Sequence, residues 1–259
     1  MFLPRSLPLI PAVFIALSSF CLLGQSDSQQ PATEPVPAAR EPVPLSPEKR
    51  GDVYMAKKMY REAIDSYREA PQDNAVIWNK VGIAYHQLMD LATAKKHYER
   101  SIKLNPKYPE AINNLGAVHY SRRSYRKAIG FYKKALRYSP NSASIYSNLG
   151  TAYFARKKYK DAFQAYQKAL SLDPEVFEHR STYGVLLQER TVEERARYHY
   201  FLAKTYAQAG HTERALSEIR KALEQGFKER KKFMEEPEFA SLRELPEFKE
   251  LMAQQPRVL

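Results

Sequence analysis

The sequence predicts an all-α chain, a curved solenoid of stacked antiparallel helix pairs closed at its C-terminal end by short helices. Three observations predict it. Gly82, Gly116, Gly150 and Gly184 recur 34 residues apart, and Gly51 precedes Gly82 by 31. A set of small and aromatic residues follows the first four of these glycines in register. Glycine is otherwise scarce, with nine in 259 residues, which disfavours glycine-rich phosphate loops and turn-rich all-β folds. Spacing at such a period reports a repeated supersecondary unit that buries its apolar face by stacking.

The first residues stand apart from the repeat. Arg5 and the amino terminus give a positive start, and an apolar stretch from Leu7 to Leu23 follows, interrupted by Pro8 and Pro11. Gly24, Gln25 and Ser26 come next. This is the order of a secretory signal over residues 1–24, with cleavage expected after Gly24 or Ser26. An uncleaved anchor is the rival reading, although the run is short of the roughly 20 residues a membrane span needs. Cys21 follows the large Phe20, a poor context for lipid attachment. Loss of the segment removes the only cysteine, which excludes disulfides, thiol catalysis and thiolate metal binding. Residues 25–47 are polar and carry Pro31, Pro35, Pro37, Pro42, Pro44 and Pro47. They read as an extended linker that cannot pack a core.

The repeat proper spans residues 48–176. Twelve residues after each glycine stands Ala63, Ala94, Ala128 or Ala162, and four further on Tyr67, Tyr98, Tyr132 or Tyr166. Ala70, Ser101, Ala135 and Ala169 follow after three more. Pro106, Pro140 and Pro174 close three of the units, because proline cannot continue a helix. In the second unit this predicts helices over 75–88 and 91–104. Glycine at the crossing admits close approach of the two backbones. Tyrosine and tryptophan are expected to fill the gaps between successive hairpins.

This constellation resembles the tetratricopeptide repeat family in four units, 44–74, 75–108, 109–142 and 143–176. The first departs from the pattern by being three residues short, with an early Pro71. The resemblance implies a right-handed superhelix whose first helices line a concave groove for a peptide or a partner helix. Counting the glycine as position eight, the groove positions are two, five, nine and twelve, with six at the centre. They fall on Val76, Asn79, Ile83 and His86 around Lys80; Glu110, Asn113, Ala117 and Tyr120 around Asn114; and Ser144, Ser147, Thr151 and Phe154 around Asn148. Asn114 and Asn148 are similar to the rungs of asparagine ladders that hold extended peptides in some members of the family. An amide serves there because it both donates to and accepts from a peptide backbone. Packing is the alternative, each asparagine bonding to the next helix. Asn79, Lys80, Asn113, Asn114, Asn148, Tyr120 and Thr151 are the candidate groove residues.

Beyond Pro174 the register breaks, since Arg180 and Leu187 replace the expected aromatics. Residues 175–190 read as a degenerate helix or connector. Thr191 with Glu194 forms a capping box that opens a last hairpin ending at Gly226. Residues 177–226 therefore form a connector plus hairpin, and 227–259 a cap. Phe227, Phe233, Phe239, Leu242, Leu245, Phe248 and Leu251 alternate there with charges, predicting two or three short helices over the open end of the array. This tail resembles the closing segment of some bacterial arrays.

No catalytic constellation stands out. The six histidines form no metal-ligand pair at helical spacing, and no nucleophile elbow, phosphate loop or dinucleotide fingerprint occurs. The expectation is a non-enzymatic scaffold with no cofactor and no metal. Charge is uneven, with 22 Lys and Arg against 10 Asp and Glu over residues 51–174 and a balance elsewhere. The positives fall on second helices and turns and include Arg122, Arg123, Arg156, Lys157 and Lys158. A basic face either keeps the array soluble or attracts an anionic partner. With an export signal that partner is an anionic lipid or envelope polymer, or an acidic protein, rather than nucleic acid. The expected location is periplasmic or secreted, tethered to the membrane if the signal is retained.

Overall fold

The computed structural model describes residues 44–178 and 191–253. The expected signal, residues 25–43 of the linker, Cys21, and Gly184 with most of the connector lie outside the described residues. Within them the chain forms helix pairs and no strand. The pairs are α1 (Pro47–Ala56) with α2 (Tyr60–Arg68), α3 (Ala75–Gln87) with α4 (Leu91–Leu104), α5 (Pro109–Ser121) with α6 (Tyr125–Tyr138), and α7 (Ala143–Ala155) with α8 (Tyr159–Leu172). A last pair, α9 (Val192–Gln208) and α10 (Thr212–Glu224), precedes the cap.

Local chemistry sets these bounds. Asn74 and Asp90 cap α3 and α4 by accepting from Val76 N at 2.9 Å and Thr93 N at 3.0 Å. Thr191 accepts from Glu194 N at 3.0 Å, as the capping box requires. Such bonds satisfy amides left over at a helix start, each worth about 1 kcal/mol. Pro109 opens α5, where its missing N–H costs nothing.

The first helix of every pair ends in the same turn. Its fifteenth unit position adopts a left-handed backbone: Lys58, Met89, Arg123 and Lys157 have φ of 60°, 61°, 59° and 59°. The following amide returns to the carbonyl five residues back, as in Asp90 N to Tyr85 O at 3.0 Å and Ser124 N to His119 O at 2.8 Å. This is a Schellman ending, normally built on glycine. Only the last pair follows that preference, with Gly210 at φ +79°.

The repeat glycines have a more specific role than backbone approach. A Cβ on Gly82 would stand 2.6 Å from Tyr98 Cε1, and one on Gly150 would stand 2.5 Å from Tyr166 Cδ1. Gly51 and Gly116 meet Tyr67 and Tyr132 in the same way. Each tyrosine therefore lies flat on the glycine of its own hairpin, sixteen residues earlier. The rings also face the next hairpin, as expected of gap-filling residues: Tyr166 stands edge-on to Tyr198 with centroids 6.1 Å apart. The ring of every unit is almost wholly buried, and burying such a side chain contributes about 1.5–3 kcal/mol.

The cap comprises α11 (Lys231–Glu235), a 3-10 turn (Pro237–Leu242) and α12 (Pro246–Ala253). Phe233, Phe239 and Phe248 are buried in one cluster with Tyr200, Ile219 and Leu242. Tyr200 stacks on Phe227 with centroids 4.6 Å apart. The tail thus covers the last hairpin.

Candidate binding face on the first helices

The residues at positions five and six obey one rule along the array. The position-six side chain bonds to position five of the preceding unit. Asn114 Nδ2 donates to Asn79 Oδ1 at 3.0 Å, and Asn148 Nδ2 donates to Asn113 Oδ1 at 3.0 Å. At the first junction Lys80 Nζ donates to Glu48 Oε1 at 2.7 Å and to Asp52 at 2.7 Å. Asn113 Nδ2 also donates to Asn114 Oδ1 at 3.3 Å. A chain of amides therefore runs Asn148, Asn113, Asn114, Asn79 through three units. All four are 2–3% exposed. The packing alternative for these amides is the one seen in these bonds: they join successive first helices.

Lys80 sits at the centre of the face as a charged floor rather than a free cation. Burial alone would lower its pKa, but hydrogen bonds and attraction from Asp52 and Glu48 outweigh it and raise the ammonium above its usual value. Glu48 and Asp52 were not singled out from sequence. The register could have found them, because they occupy positions five and nine of the short first unit.

In the first and fourth units position nine serves the buried tyrosine of its own hairpin. Tyr67 OH donates to Asp52 Oδ1 at 2.7 Å, and Tyr166 OH donates to Thr151 Oγ1 at 3.4 Å. In the third unit that position is Ala117, and the buried Tyr132 hydroxyl has no partner. Burial, reinforced by Tyr120, pushes the Tyr132 hydroxyl well above its usual pKa. Thr151 is thus a hydrogen-bond acceptor inside a hairpin. Tyr120 is 4% exposed, its ring 5.1 Å from that of Tyr125. Phe154 packs edge-on against Tyr159, Tyr198 and Phe201.

Open space on this face lies between the first two units. A cavity of ≈ 450 Å³ is lined by Asp52, Met55, Tyr60, Tyr67, Lys80 and Ile83, with Ala56, Lys58 and Gln87 completing it. It is an apolar trough with a charged floor, the lining a pocket needs for a side chain anchored by apolar contact and oriented by a few polar groups. Sequence reasoning named Lys80 but not Met55 or Tyr60, since the trough exists only once two units stack. Arg122, Arg123, Arg156, Lys157 and Lys158 are elsewhere, exposed in the turns that end α5 and α7. Among the described residues no group of three or more metal-ligating side chains occurs, and no helix is long and apolar enough to cross a membrane.

Tetratricopeptide repeat models match residues 75–108 and 196–225 and residues 143–176, and a TPR repeat model matches 120–156. The chain is a tetratricopeptide repeat protein. The match at 196–225 makes the last hairpin a unit of the same kind, with Gly210 at the position of Arg123 and Lys157. In sequence this tetratricopeptide repeat protein is similar to the photosystem I assembly protein Ycf3 of Synechococcus elongatus, 34% identical over 67 residues, covering 24% of this chain and 39% of that one. Ycf3 of Rippkaea orientalis is 35% identical over 75 residues, covering 26% and 43%. The chain spans about two-fifths of the length of these curated relatives. Among solved structures, MamA from Desulfovibrio magneticus RS-1 aligns with TM-score 0.48 at 21% identity, over 69% of this chain and 92% of that one. YrrB, described as a TPR protein with an unusual peptide-binding site, aligns with TM-score 0.45 at 16% identity, over 70% and 84%.

Proposed function

We propose that this tetratricopeptide repeat protein is a non-enzymatic scaffold of the cell envelope that binds a segment of a partner protein on its first-helix face. The observation that carries the reading is the trough between the first two units. It offers apolar walls from Met55 and Ile83 and a charged floor at Lys80, while the asparagines further along are occupied in joining units. A partner segment with one large apolar side chain flanked by hydrogen-bonding groups suits that lining. The envelope location is supported by the signal-like order of residues 1–24 and by the proline-rich linker that would hold the array away from its point of export.

Ala56 and Gln87 are exposed at the sides of the trough. Ala56→Arg with Gln87→Arg fills its mouth without touching the buried core. Crosslinking capture from envelope extract at high salt should retain a discrete protein on the wild-type chain and lose it on this double variant. Equal capture by both would place the partner elsewhere and remove the trough from the reading.

A further inference from the structure

Between residues 111 and 160 the sequence holds eleven Lys and Arg and no Asp or Glu. The fold sorts many of these cations to one place. The turn joining the two helices of a unit recurs at the same end of every hairpin, so equivalent turn positions form one edge of the stack. In the third unit that edge carries Arg122, Arg123 and Arg126, and in the fourth Arg156, Lys157 and Lys160. The first unit repeats the pattern with Lys57, Lys58 and Arg61. All nine are exposed, and none forms an ion pair with another described residue. Several cations of the last hairpin and cap behave differently. Arg197, Arg214, Arg220, Lys232 and Lys249 are all paired with glutamates.

The second unit breaks the row in an informative way. Its turn presents Leu88, 39% exposed, and Met89, 64% exposed, in the places that hold cations in its neighbours. Met59, 38% exposed, follows Lys58 in the first turn. An apolar tip is thus flanked on both sides by unpaired positive charge. The backbone supplies a separate argument. Position fifteen is left-handed in all these turns, where glycine is the least strained choice, and the last hairpin uses it at Gly210. The four preceding units instead hold Lys58, Met89, Arg123 and Lys157 there. Long side chains displayed outward at a conformational cost point to a use for the side chain itself.

We propose that this turn edge docks on a lipid bilayer carrying anionic headgroups. The cations of the first, third and fourth units meet the phosphates, and Leu88 and Met89 enter the headgroup layer between them. A bilayer fits these observations better than a nucleic acid or an acidic protein surface. Apolar side chains enter its headgroup boundary while flanking cations meet its phosphates, which rewards exposed Leu and Met in the middle of a cationic row. The edge shares Lys58 with the trough, while its other cations and Leu88 and Met89 lie outside the trough lining.

The test places an environment-sensitive dye on Met89→Cys in the full chain with Cys21→Ser, and on Met234→Cys in the cap as a control site. The probe is a phosphatidylcholine vesicle, with or without one-third phosphatidylglycerol. Local dye signals isolate the edge from any lipid affinity of the N-terminal segment. A blue shift at position 89 but not 234, on anionic vesicles only and reversed by high salt, is expected. Arg122→Gln, Arg123→Asn, Arg156→Gln and Lys157→Asn combined should weaken that shift. Asparagine tolerates the left-handed backbone at two of these sites. Each surface cation contributes roughly five-fold in affinity, so the loss should reach several hundred-fold. An unchanged melting curve for the variant confirms that the array is intact. A shift of equal size on neutral vesicles, no shift on anionic ones, or full retention of the shift by the variant would each overturn the proposal. So would capture of duplex DNA by these cations without any response to vesicles.

Discussion

Replacing Gly116 by alanine tests the packing of the repeat at its tightest point. In an ordinary helix interior this change is favourable by about 1 kcal/mol, because alanine loses less backbone freedom and has the higher helix propensity. At Gly116 the new methyl would stand 2.7 Å from Tyr132 Cε1, 2.9 Å from Cδ1 and 3.2 Å from Phe131 Cβ. Carbon atoms pack comfortably at about 3.5–4.0 Å. Tyr132 is 0% exposed and cannot swing into solvent, so α5 and α6 must separate. Overpacking of this kind costs about 1–3 kcal/mol, which leaves a net loss of up to about 2 kcal/mol once the helix gain is subtracted. Gly130 is the internal control. It lies within α6, is exposed, and has nothing within 4 Å of its added Cβ. Gly130→Ala should therefore stabilise by about 0.5–1 kcal/mol. Urea denaturation read by circular dichroism would show midpoints moving in opposite directions for the two variants. Tyr132→Leu in the Gly116→Ala background should recover part of the loss relative to the sum of the single changes. A Gly116→Ala protein that gains the same stability as Gly130→Ala would refute the ring-on-glycine account.

The hydroxyl pattern on the same rings makes a second contrast. Tyr132→Phe removes a hydroxyl without a partner and should be neutral or stabilising, whereas Tyr67→Phe loses the bond to Asp52 and should cost about 1 kcal/mol. Ala117→Thr, copying Thr151, should gain about 0.5–1.5 kcal/mol by giving Tyr132 an acceptor; a loss in thermal stability would contradict the assignment. Asn114→Leu removes the donor to Asn79 Oδ1 and the acceptor of the bond from Asn113 Nδ2 and should cost about 1–3 kcal/mol. Adding Asn79→Leu should return part of that in a double-mutant cycle, and strict additivity would argue against the amide chain. Acid should destabilise the array through its histidines. Burial holds His86, His97 and His119 below the usual 6.5, helped at His97 by Arg68 and at His119 by Lys127. The unfolded chain takes up these protons first, so stability is full above that value and falls as pH drops through it. His86→Gln should flatten the slope of urea midpoint against pH, and an unaltered slope would remove His86 as a contributor.

The 34-residue register, the cap at Thr191, and the apolar rhythm of the tail are all legible in the sequence by itself. They fix a tetratricopeptide array with a terminal hairpin and a helical cap, because helix starts, stops and buried faces depend on residues a few positions apart. Other features needed the stacked units. The sequence places Tyr132 sixteen residues after Gly116, but only the hairpin crossing shows that one ring covers one glycine. Asn114 and Asn148 read equally well as rungs facing a peptide or as links between helices, and the rotation between neighbouring units decided that their amides reach Asn79 and Asn113. The same rotation brings Glu48 and Asp52 to Lys80 and opens the trough beside them. Charge composition revealed that the middle of the chain is basic, while the tertiary structure gathered Arg122, Arg156 and their neighbours with Met89 along one edge. That edge is a property of stacking, because residues a full repeat apart become neighbours only when each hairpin has found its place on the last.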